Sequence, residues 1–294
     1  MIKKLVFLIT LGLTACSSNS SEAPPAKPLV WVSIAPYQDL TQRIAGSSIT
    51  VETIVPIGSN PHSFEPTSRQ AGSLGQGRVW LRIGEPFENK LLSLLQSRNP
   101  NLLVHDLRKG IELIEEEGSH CHHCGVDHQD RHIWMSPKET QTQANHIAAT
   151  LAIAFPELKE DIEKNTQTLI ADLQALDTQI ESLLKPVVNR AILVSHPAFA
   201  YFCRDYHCEQ LSVEYEGKEP RPRQVEALVQ RAAESKTGMA ITLPQYNNKG
   251  AQLIAKKLHL PVQMVDPYSP DYFGTLLKIA QLIADPSLKE ISSP

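Results

Sequence analysis

Three histidines and one aspartate are spaced so that they could bind one metal ion together. His62, His196 and Asp266 each follow a short β-rich run and adjoin a proline, and His132 opens the segment HIWMSP. The intervals between the four residues are 70, 64 and 70 positions, which would suit one ligand from each half-lobe of a two-lobed fold. Imidazole nitrogens and a carboxylate oxygen suit a borderline divalent ion, zinc most readily, with manganese or iron as alternatives. A lone histidine in a loop is usually an ordinary surface residue, so from these residues alone both interpretations stay open.

The elements that would position these residues form an alternating pattern. Short β-rich runs alternate with helical patterns, which favours an α/β fold with parallel sheets flanked by helices. Ligands of open α/β sheets bind beyond the carboxyl ends of the strands, where these candidates stand. The predicted strands are Leu29–Ile34, Thr50–Ile57, Val79–Ile83 and Leu102–Leu107, then Ala191–Ser195, Met239–Leu243 and Val262–Val265; the predicted helices are Asp39–Ala45, Val225–Ala233 and Gly250–Leu258.

The longest helical pattern runs from Pro156 to Lys185, between the two halves of the chain. A helix of that length would reach about 45 Å, which suits a stiff connector between two lobes. The alternative is two shorter helices with a break. We therefore expect lobes at residues 29–155 and 187–294, with residues 156–186 as the linking helix. The apolar stripe that predicts this helix consists of Ile162, Leu169, Leu173, Leu176, Ile180 and Leu183.

The N-terminal residues 1–15 have the charged start and short apolar stretch of a secretory signal peptide. They are followed by Cys16, and the sequence Leu-Thr-Ala-Cys at 13–16 resembles a bacterial lipobox. We therefore expect an exported protein, in the periplasm or at the cell surface, that a lipid on Cys16 anchors to a membrane. The alternative is an ordinary signal with an incidental cysteine. Residues 16–28, rich in Ser, Pro and Ala, predict a flexible tether.

Four further cysteines lie in two close pairs. In an exported protein such pairs are usually oxidised or bound to metal. Cys203 and Cys208 fit a local disulfide, with free packed thiols as the alternative. A thioredoxin-like redox pair at Cys121 and Cys124 is disfavoured, because no βαβ pattern opens on them.

Composition and motifs argue against several classes of function. With 28 Lys and Arg against 32 Asp and Glu, the net charge of −4 lacks the basic excess that nucleic-acid binding requires. A zinc hydrolase is the main alternative from another class. Catalytic zinc usually keeps one position open for water, whereas four protein ligands would close the site. The sequence also lacks the patterns HExxH, GxSxG and GxxxxGK, so we expect a protein that is not an enzyme.

Four ordered segments resemble the metal motifs of the periplasmic metal-binding lipoproteins that feed zinc and manganese ABC importers. They are VETIVPIGSNPHSFEP at residues 51–66, HIW at 132–134, VSHPAFAYF at 194–202 and VDP at 265–267. The resemblance runs from about Val30 to the C-terminus and implies two βα lobes joined by one long rigid helix, with the metal site in the cleft between them. Carried over motif by motif, the family's ligands fall on His62, His132, His196 and Asp266.

Two features of this resemblance imply zinc rather than manganese. Manganese receptors of the family commonly place a glutamate third, where this chain has His196. Zinc-specific members carry a His- and acid-rich loop before the second ligand, and residues 115–131 look like a short version of it. This loop could capture a second zinc, and the alternative is a solvated polar loop with a disulfide. Its candidate ligands are His120, His122, His123 and His128, with Cys121 and Cys124 either ligands or a disulfide.

The resemblance therefore implies a membrane-tethered receptor that captures Zn²⁺ outside the cytoplasmic membrane. It would present the ion to an ABC permease driven by a separate ATPase, and we expect it to be a monomer. A manganese or iron receptor of the same fold is the alternative. Surface adhesion, a role assigned to some members, would coexist with metal binding.

Overall fold

Two parallel four-stranded sheets organise the computed structural model, which describes residues 27–115, 129–214 and 221–287. The strand order is β2-β1-β3-β4 in the first sheet and β6-β5-β7-β8 in the second. The predicted α/β class with parallel sheets is therefore confirmed. The strands are β1 (Leu29–Val32), β2 (Thr50–Thr53), β3 (Val79–Arg82), β4 (Leu103–Asp106), β5 (Arg190–Val194), β6 (Glu209–Ser212), β7 (Lys236–Thr242) and β8 (Val262–Met264).

Helices connect the strands of each sheet and link the two sheets. None of those within the described ranges is both long and apolar enough to cross a membrane. The helices are α1 (Ala35–Ala45), α2 (Ser68–Leu74), α3 (Pro86–Arg98), α4 (Pro137–Ala154), α5 (Lys159–Leu184), α6 (Ala200–Tyr206), α7 (Pro222–Glu234), α8 (Lys249–Lys257) and α9 (Tyr272–Ala284).

The long helix α5 is continuous over 26 residues, with a short 3₁₀ turn at each end. The prediction of one long connector is confirmed, and the alternative of two helices with a break is wrong. The predicted apolar stripe is buried, except that Leu184 rather than Leu183 completes it. At its end the helix therefore turns Leu184 inward and leaves Leu183 half-buried.

Helix α5 joins the two halves into one core. It packs against α1 and α4 from the first half and against α9 from the second. Its buried side chains belong to one continuous apolar cluster that includes residues of both sheets. This shared core fixes the carboxyl ends of β2 and β5 relative to each other. The exact bounds of the two lobes stay a prediction.

The expected disulfide between Cys203 and Cys208 is not formed in this structure, where both are free thiols. Cys203 is buried in α6, and Cys208 is half-buried just before β6. His207 between them has left-handed backbone geometry, with φ of 55°, which ends the helix. The Sγ atom of Cys208 contacts the carbonyl oxygen of Tyr206 at 3.7 Å. A backbone bond from Cys208 N to the Cys203 carbonyl closes this turn instead of a covalent link.

Candidate metal centre

Three loops carry the predicted histidines into one place. His62 lies in a 3₁₀ turn after β2, and Asn60 caps this turn by accepting a 2.9 Å bond from the backbone N–H of His62. The ability of Asn60 to bond the local backbone is the property that its turn position predicts. His132 immediately precedes the turn that leads into α4, and His196 follows β5. The first half thus supplies two imidazoles and the second half supplies one.

The three imidazoles converge. Within the described ranges, His62, His132 and His196 form a group whose ligand atoms all lie within 4.8 Å of one another. The Nε2 atoms of His62 and His196 are 3.2 Å apart. Four ligands at the usual zinc–nitrogen distance of about 2.0–2.1 Å, arranged tetrahedrally, are separated by about 3.3 Å. The separation of the His62 and His196 nitrogens therefore matches that of two ligands in a tetrahedral zinc site.

A carboxylate oxygen lies against the Nδ1 atom of each imidazole. Such a carboxylate accepts the Nδ1 proton, which leaves Nε2 with a lone pair and fixes the orientation of the ring. Two lone pairs that face each other across 3.2 Å repel unless a proton or cation lies between them. The arrangement is therefore suited to hold a cation. The pairs are His62 with Glu85 at 2.9 Å, His132 with Asp130 at 2.6 Å and His196 with Glu214 at 3.0 Å.

Glu85 is the most deeply buried of the three carboxylates. It is fully buried, and its Oε1 atom has no hydrogen-bond partner among the described residues. Burial alone would raise the pKa of this carboxyl, but the neighbouring His62, together with His132 and Arg131, lowers it below the ordinary value. Glu85 therefore stays ionised and places negative charge directly behind the His62 ring.

His196 is neutral over a wide pH range. Burial lowers its pKa well below the ordinary histidine value, and the neighbouring His132 and His62 imidazoles lower it further. A neutral imidazole is the form that coordinates metal. His196 therefore needs to lose no proton when a metal binds at neutral pH.

Two tyrosines from the second half complete the wall of the site. The Tyr246 ring stacks on the His196 imidazole, with centroids 3.9 Å apart and planes 12° from parallel. The hydroxyl of Tyr268 lies 2.9 Å from that of Tyr246 and 3.0 Å from the Nε2 atom of His132. Sequence analysis identified neither tyrosine.

Asp266, the predicted fourth ligand, is not part of the group of converging ligand atoms among the described residues. Its Oδ1 atom accepts a 2.8 Å bond from the Gln245 side chain and a 2.9 Å bond from the Tyr268 backbone N–H. Both bonds are made to the same oxygen, and they tie Asp266 to Gln245 and to the Tyr268 backbone. Direct coordination by Asp266 stays a prediction.

Hydrogen bonds between the halves hold the cleft around the histidines. The Trp134 indole donates to the carbonyl of Pro267 at 2.8 Å, next to Asp266 and Tyr268 in the chain. The Tyr201 hydroxyl donates to the carbonyl of Asp130 at 2.9 Å. These contacts preserve the geometry of the site, because they connect the segment of the second ligand directly to the second lobe.

The candidate ligands of the His-rich loop lie outside the described residues, which stop at Glu115 and resume at Gln129. Glu115 and Gln129 pair as an antiparallel β-bridge, so the two ends of the loop meet. The residues not described include His120, His122, His123 and His128, and the pair Cys121 and Cys124. Their roles stay predictions.

Comparison with known proteins agrees with this fold. A putative metal-binding protein of Chlamydia muridarum is 30% identical over 283 residues, which are 96% of this chain and 99% of that protein. The manganese ABC transporter substrate-binding lipoprotein scaA of Streptococcus gordonii is 25% identical over 282 residues, 89% of this chain and 88% of that one. A crystal structure of ZnuA superposes with a TM-score of 0.82 at 31% identity, and the match covers 88% of this chain and 99% of that chain.

The fold and these similarities define the class of metal-binding receptor proteins of ABC importers. The profile of the family described as zinc-uptake complex component A, periplasmic, ZnuA, matches residues 30–285. The chain belongs to this family, whose members bind zinc or manganese and work with a permease and an ATPase.

The lowered pKa of His196 predicts how the stability of the metal-free protein depends on pH. In the unfolded chain a histidine binds a proton below about pH 6.5, whereas buried His196 stays neutral. The unfolded state then binds more protons, so the free energy of unfolding should fall as the pH drops below about 6.5, by up to about 1.4 kcal/mol per pH unit for this group. Burial also lowers the pKa of His105, which therefore contributes to the pH dependence in the same direction.

Urea unfolding between about pH 7.5 and 5.5 measures this slope. His196→Gln should make it shallower, and an equal slope in that variant would contradict the assignment.

Proposed function

We propose that this protein is a receptor that captures one Zn²⁺ ion outside the cytoplasmic membrane and delivers it to the permease of an ABC importer. The observation that carries the proposal is the convergence of the three imidazoles, each with a carboxylate against its Nδ1 atom. The proposed ligands are His62, His132 and His196. The protein performs no chemistry on the ion, because the ion is cargo.

The donor set supports zinc over manganese. Three imidazole nitrogens suit zinc, whereas manganese prefers carboxylate, carbonyl and water oxygens. The carboxylates that contact the site lie against the Nδ1 atoms of the imidazoles and so reach a bound ion only through the rings. They add negative charge that stabilises a dication without supplying the oxygen ligands that would favour manganese.

Competition between the two metals tests this proposal. Metal-free mature protein is titrated with Zn²⁺ and Mn²⁺ against a chelator of known affinity. We expect tight binding of zinc at the histidine site and manganese binding at least about 100-fold weaker, following the general order of divalent-metal affinities. Equal affinities, or a preference for manganese, would refute the zinc assignment while leaving the receptor class intact.

The lipobox supports attachment to a membrane through a lipid on Cys16, with residues 16–28 as the tether. Such an anchor would hold the receptor near its permease and leave the two lobes free to bind metal. Fractionation of cells that express a Cys16→Ser chain tests this part of the proposal. Retention of that chain in the membrane fraction would contradict it.

We also propose that the receptor is a monomer, since one chain supplies all three histidines.

The His-rich loop supports a second, weaker role in metal capture. Its four histidines and two cysteines fall within nine positions, which favours binding by whichever ligands are free rather than by one fixed set. A second zinc bound there would be passed inward to the histidine cluster. His120→Ala alone should therefore change zinc binding little.

A further inference from the structure

The hydroxyl group of Tyr268 lies among the ligand nitrogens of the proposed zinc site. Tyr268 is in the loop between β8 and α9, and only 3% of its surface is exposed. Its Oη atom is 3.0 Å from His132 Nε2 and 3.4 Å from His62 Nε2. Both contacts are made to the nitrogens that face the metal, whereas the Nδ1 atoms bond to carboxylates. The hydroxyl therefore stands inside the coordination cluster rather than behind it.

Two distances from this oxygen match the spacing of ligands around a tetrahedral zinc ion. Tetrahedral zinc ligands are separated by about 3.3 Å, since each lies about 2.0–2.1 Å from the ion. The separations of 3.0 and 3.4 Å from Tyr268 Oη, and of 3.2 Å between His62 and His196, match that value. We propose that the Tyr268 hydroxyl oxygen is the fourth ligand of the ion, in place of the carboxylate of Asp266. This inference rests on the proposed function and deepens it.

The hydroxyl can coordinate without losing its proton. In the metal-free site it donates to His132 Nε2, which accepts because its Nδ1–H bonds to Asp130. A bound ion takes the lone pair of His132, so the hydroxyl proton must turn elsewhere. The Tyr246 hydroxyl, 2.9 Å away, can be the acceptor, since either tyrosine can donate in that pair. The lone pairs of Tyr268 Oη then face the ion.

Tyr246 is held in place for this role. Its ring stacks on His196, which fixes its hydroxyl beside that of Tyr268. Asp266 takes part indirectly, because its Oδ1 atom accepts the backbone N–H of Tyr268 and so orients the loop. The predicted ligand thus becomes a positioning residue, two positions away in the chain from the group that contacts the metal.

The test compares Tyr268→Phe with two matched variants. Tyr272→Phe removes another buried hydroxyl, which bonds to Thr140 at 2.9 Å outside the histidine cluster. Asp266→Asn keeps a side-chain oxygen that can accept the Tyr268 N–H. For each, zinc affinity is measured by chelator competition, and the visible spectrum of the Co²⁺-loaded protein reports coordination geometry.

We expect Tyr268→Phe to weaken zinc binding by about tenfold or more, since even outer-shell changes at metal sites have effects of 10- to 100-fold. Its Co²⁺ spectrum should also change, whereas Tyr272→Phe should resemble the native protein. Asp266→Asn keeps the acceptor for the Tyr268 N–H, so it should lose less zinc affinity than Tyr268→Phe. Native affinity and spectrum in Tyr268→Phe, or a large loss confined to Asp266→Asn, would overturn the inference while leaving the receptor function intact. Failure of the native protein to bind zinc would instead overturn the proposed function.

A second variant keeps the test valid if Tyr268→Phe does not fold. Tyr246→Phe removes the acceptor for the Tyr268 proton, which must then point towards the ion or be lost. We expect a smaller but measurable loss of zinc affinity in this variant. An unchanged affinity there would equally contradict coordination by the Tyr268 hydroxyl.

Discussion

Replacement of His62 by glutamine is expected to weaken zinc binding by more than about 100-fold, beyond the range found for outer-shell residues of metal sites. His62 is the most exposed of the three ligands, with 24% of its side chain accessible, so its loss should disturb packing least. Glutamine retains an N–H donor for buried Glu85, which would otherwise be left as an unpaired charge. An amide offers the ion a much poorer ligand than an imidazole. Calorimetric titration of the metal-free variant measures the loss.

His146→Gln is the matched control for this experiment. His146 lies half-buried in α4, where its ring contacts His105 with centroids 5.2 Å apart, and it takes no part in the converging cluster. It should bind zinc with native affinity. If both variants lost affinity equally, the effect would come from general destabilisation. If neither did, the principal zinc would lie outside the histidine cluster.

Replacement of a carboxylate that contacts an imidazole Nδ1 atom should cause the next largest loss of zinc affinity. Asp130 is the clearest case. Its Oδ1 atom accepts both the Nδ1–H of His132 at 2.6 Å and the His132 backbone N–H at 2.8 Å. Asp130→Asn keeps an oxygen acceptor but removes the negative charge, and we expect a loss of about tenfold in zinc affinity. Asp130→Ala removes the acceptor as well, so the tautomer and the ring orientation are no longer fixed, and the loss should approach about 100-fold.

Asp205→Asn provides the control for this series. Asp205 is another buried carboxylate, which accepts bonds from Ser136 and from Arg204 in the same region but contacts none of the three ligands. Its replacement should reduce thermal stability and leave zinc affinity unchanged. A graded loss in the Asp130 series alone would assign the effect to the His132 imidazole. Native affinity in Asp130→Ala would show that the carboxylate does not act through the ligand.

The three histidines could be predicted because their signals are local. Each stands at the end of a β-rich run or opens a distinctive segment, and parallel strands bring their carboxyl ends to one edge. Asp266 satisfied the same rule, yet its oxygen is engaged by Gln245, which lies 21 residues earlier in another loop. That contact depends on how the two loops lie relative to each other in three dimensions. The spacing of residues in the sequence does not predict this.

The partner carboxylates carried a signal that could have been used. Glu85 follows β3 and precedes a proline, the same context that identified His62. Glu214 follows β6, an edge strand of only four residues that alternation alone did not identify. Asp130 is two positions before His132, within reach of the same ring. A rule that includes every acidic residue after a predicted strand would have found Glu85, but not its pairing with His62.

Helix α4 shows why some elements were missed. Its buried face contains Thr140, Gln143 and Thr150 among small and apolar side chains, so the usual apolar period is absent. Two of these polar groups meet partners in other elements: Gln143 accepts from the hydroxyl of Tyr37 at 3.1 Å, and Thr140 accepts from that of Tyr272 at 2.9 Å. Thr150 instead donates to the His146 carbonyl within the helix. Helix α5, by contrast, buries a nearly pure apolar stripe and was predicted in one piece.

The central claim is that one zinc ion is held by the Nε2 atoms of three histidines, and anomalous diffraction at the zinc absorption edge tests it most directly. Crystals of the mature protein, loaded with one equivalent of zinc, should show a single strong anomalous peak about 2.0–2.1 Å from the Nε2 atoms of His62, His132 and His196. The fourth ligand, at Tyr268 or at Asp266, can be read from the same map. A principal peak in the loop at residues 116–128, or one that contacts carboxylate oxygens and none of the three Nε2 atoms, would contradict the account.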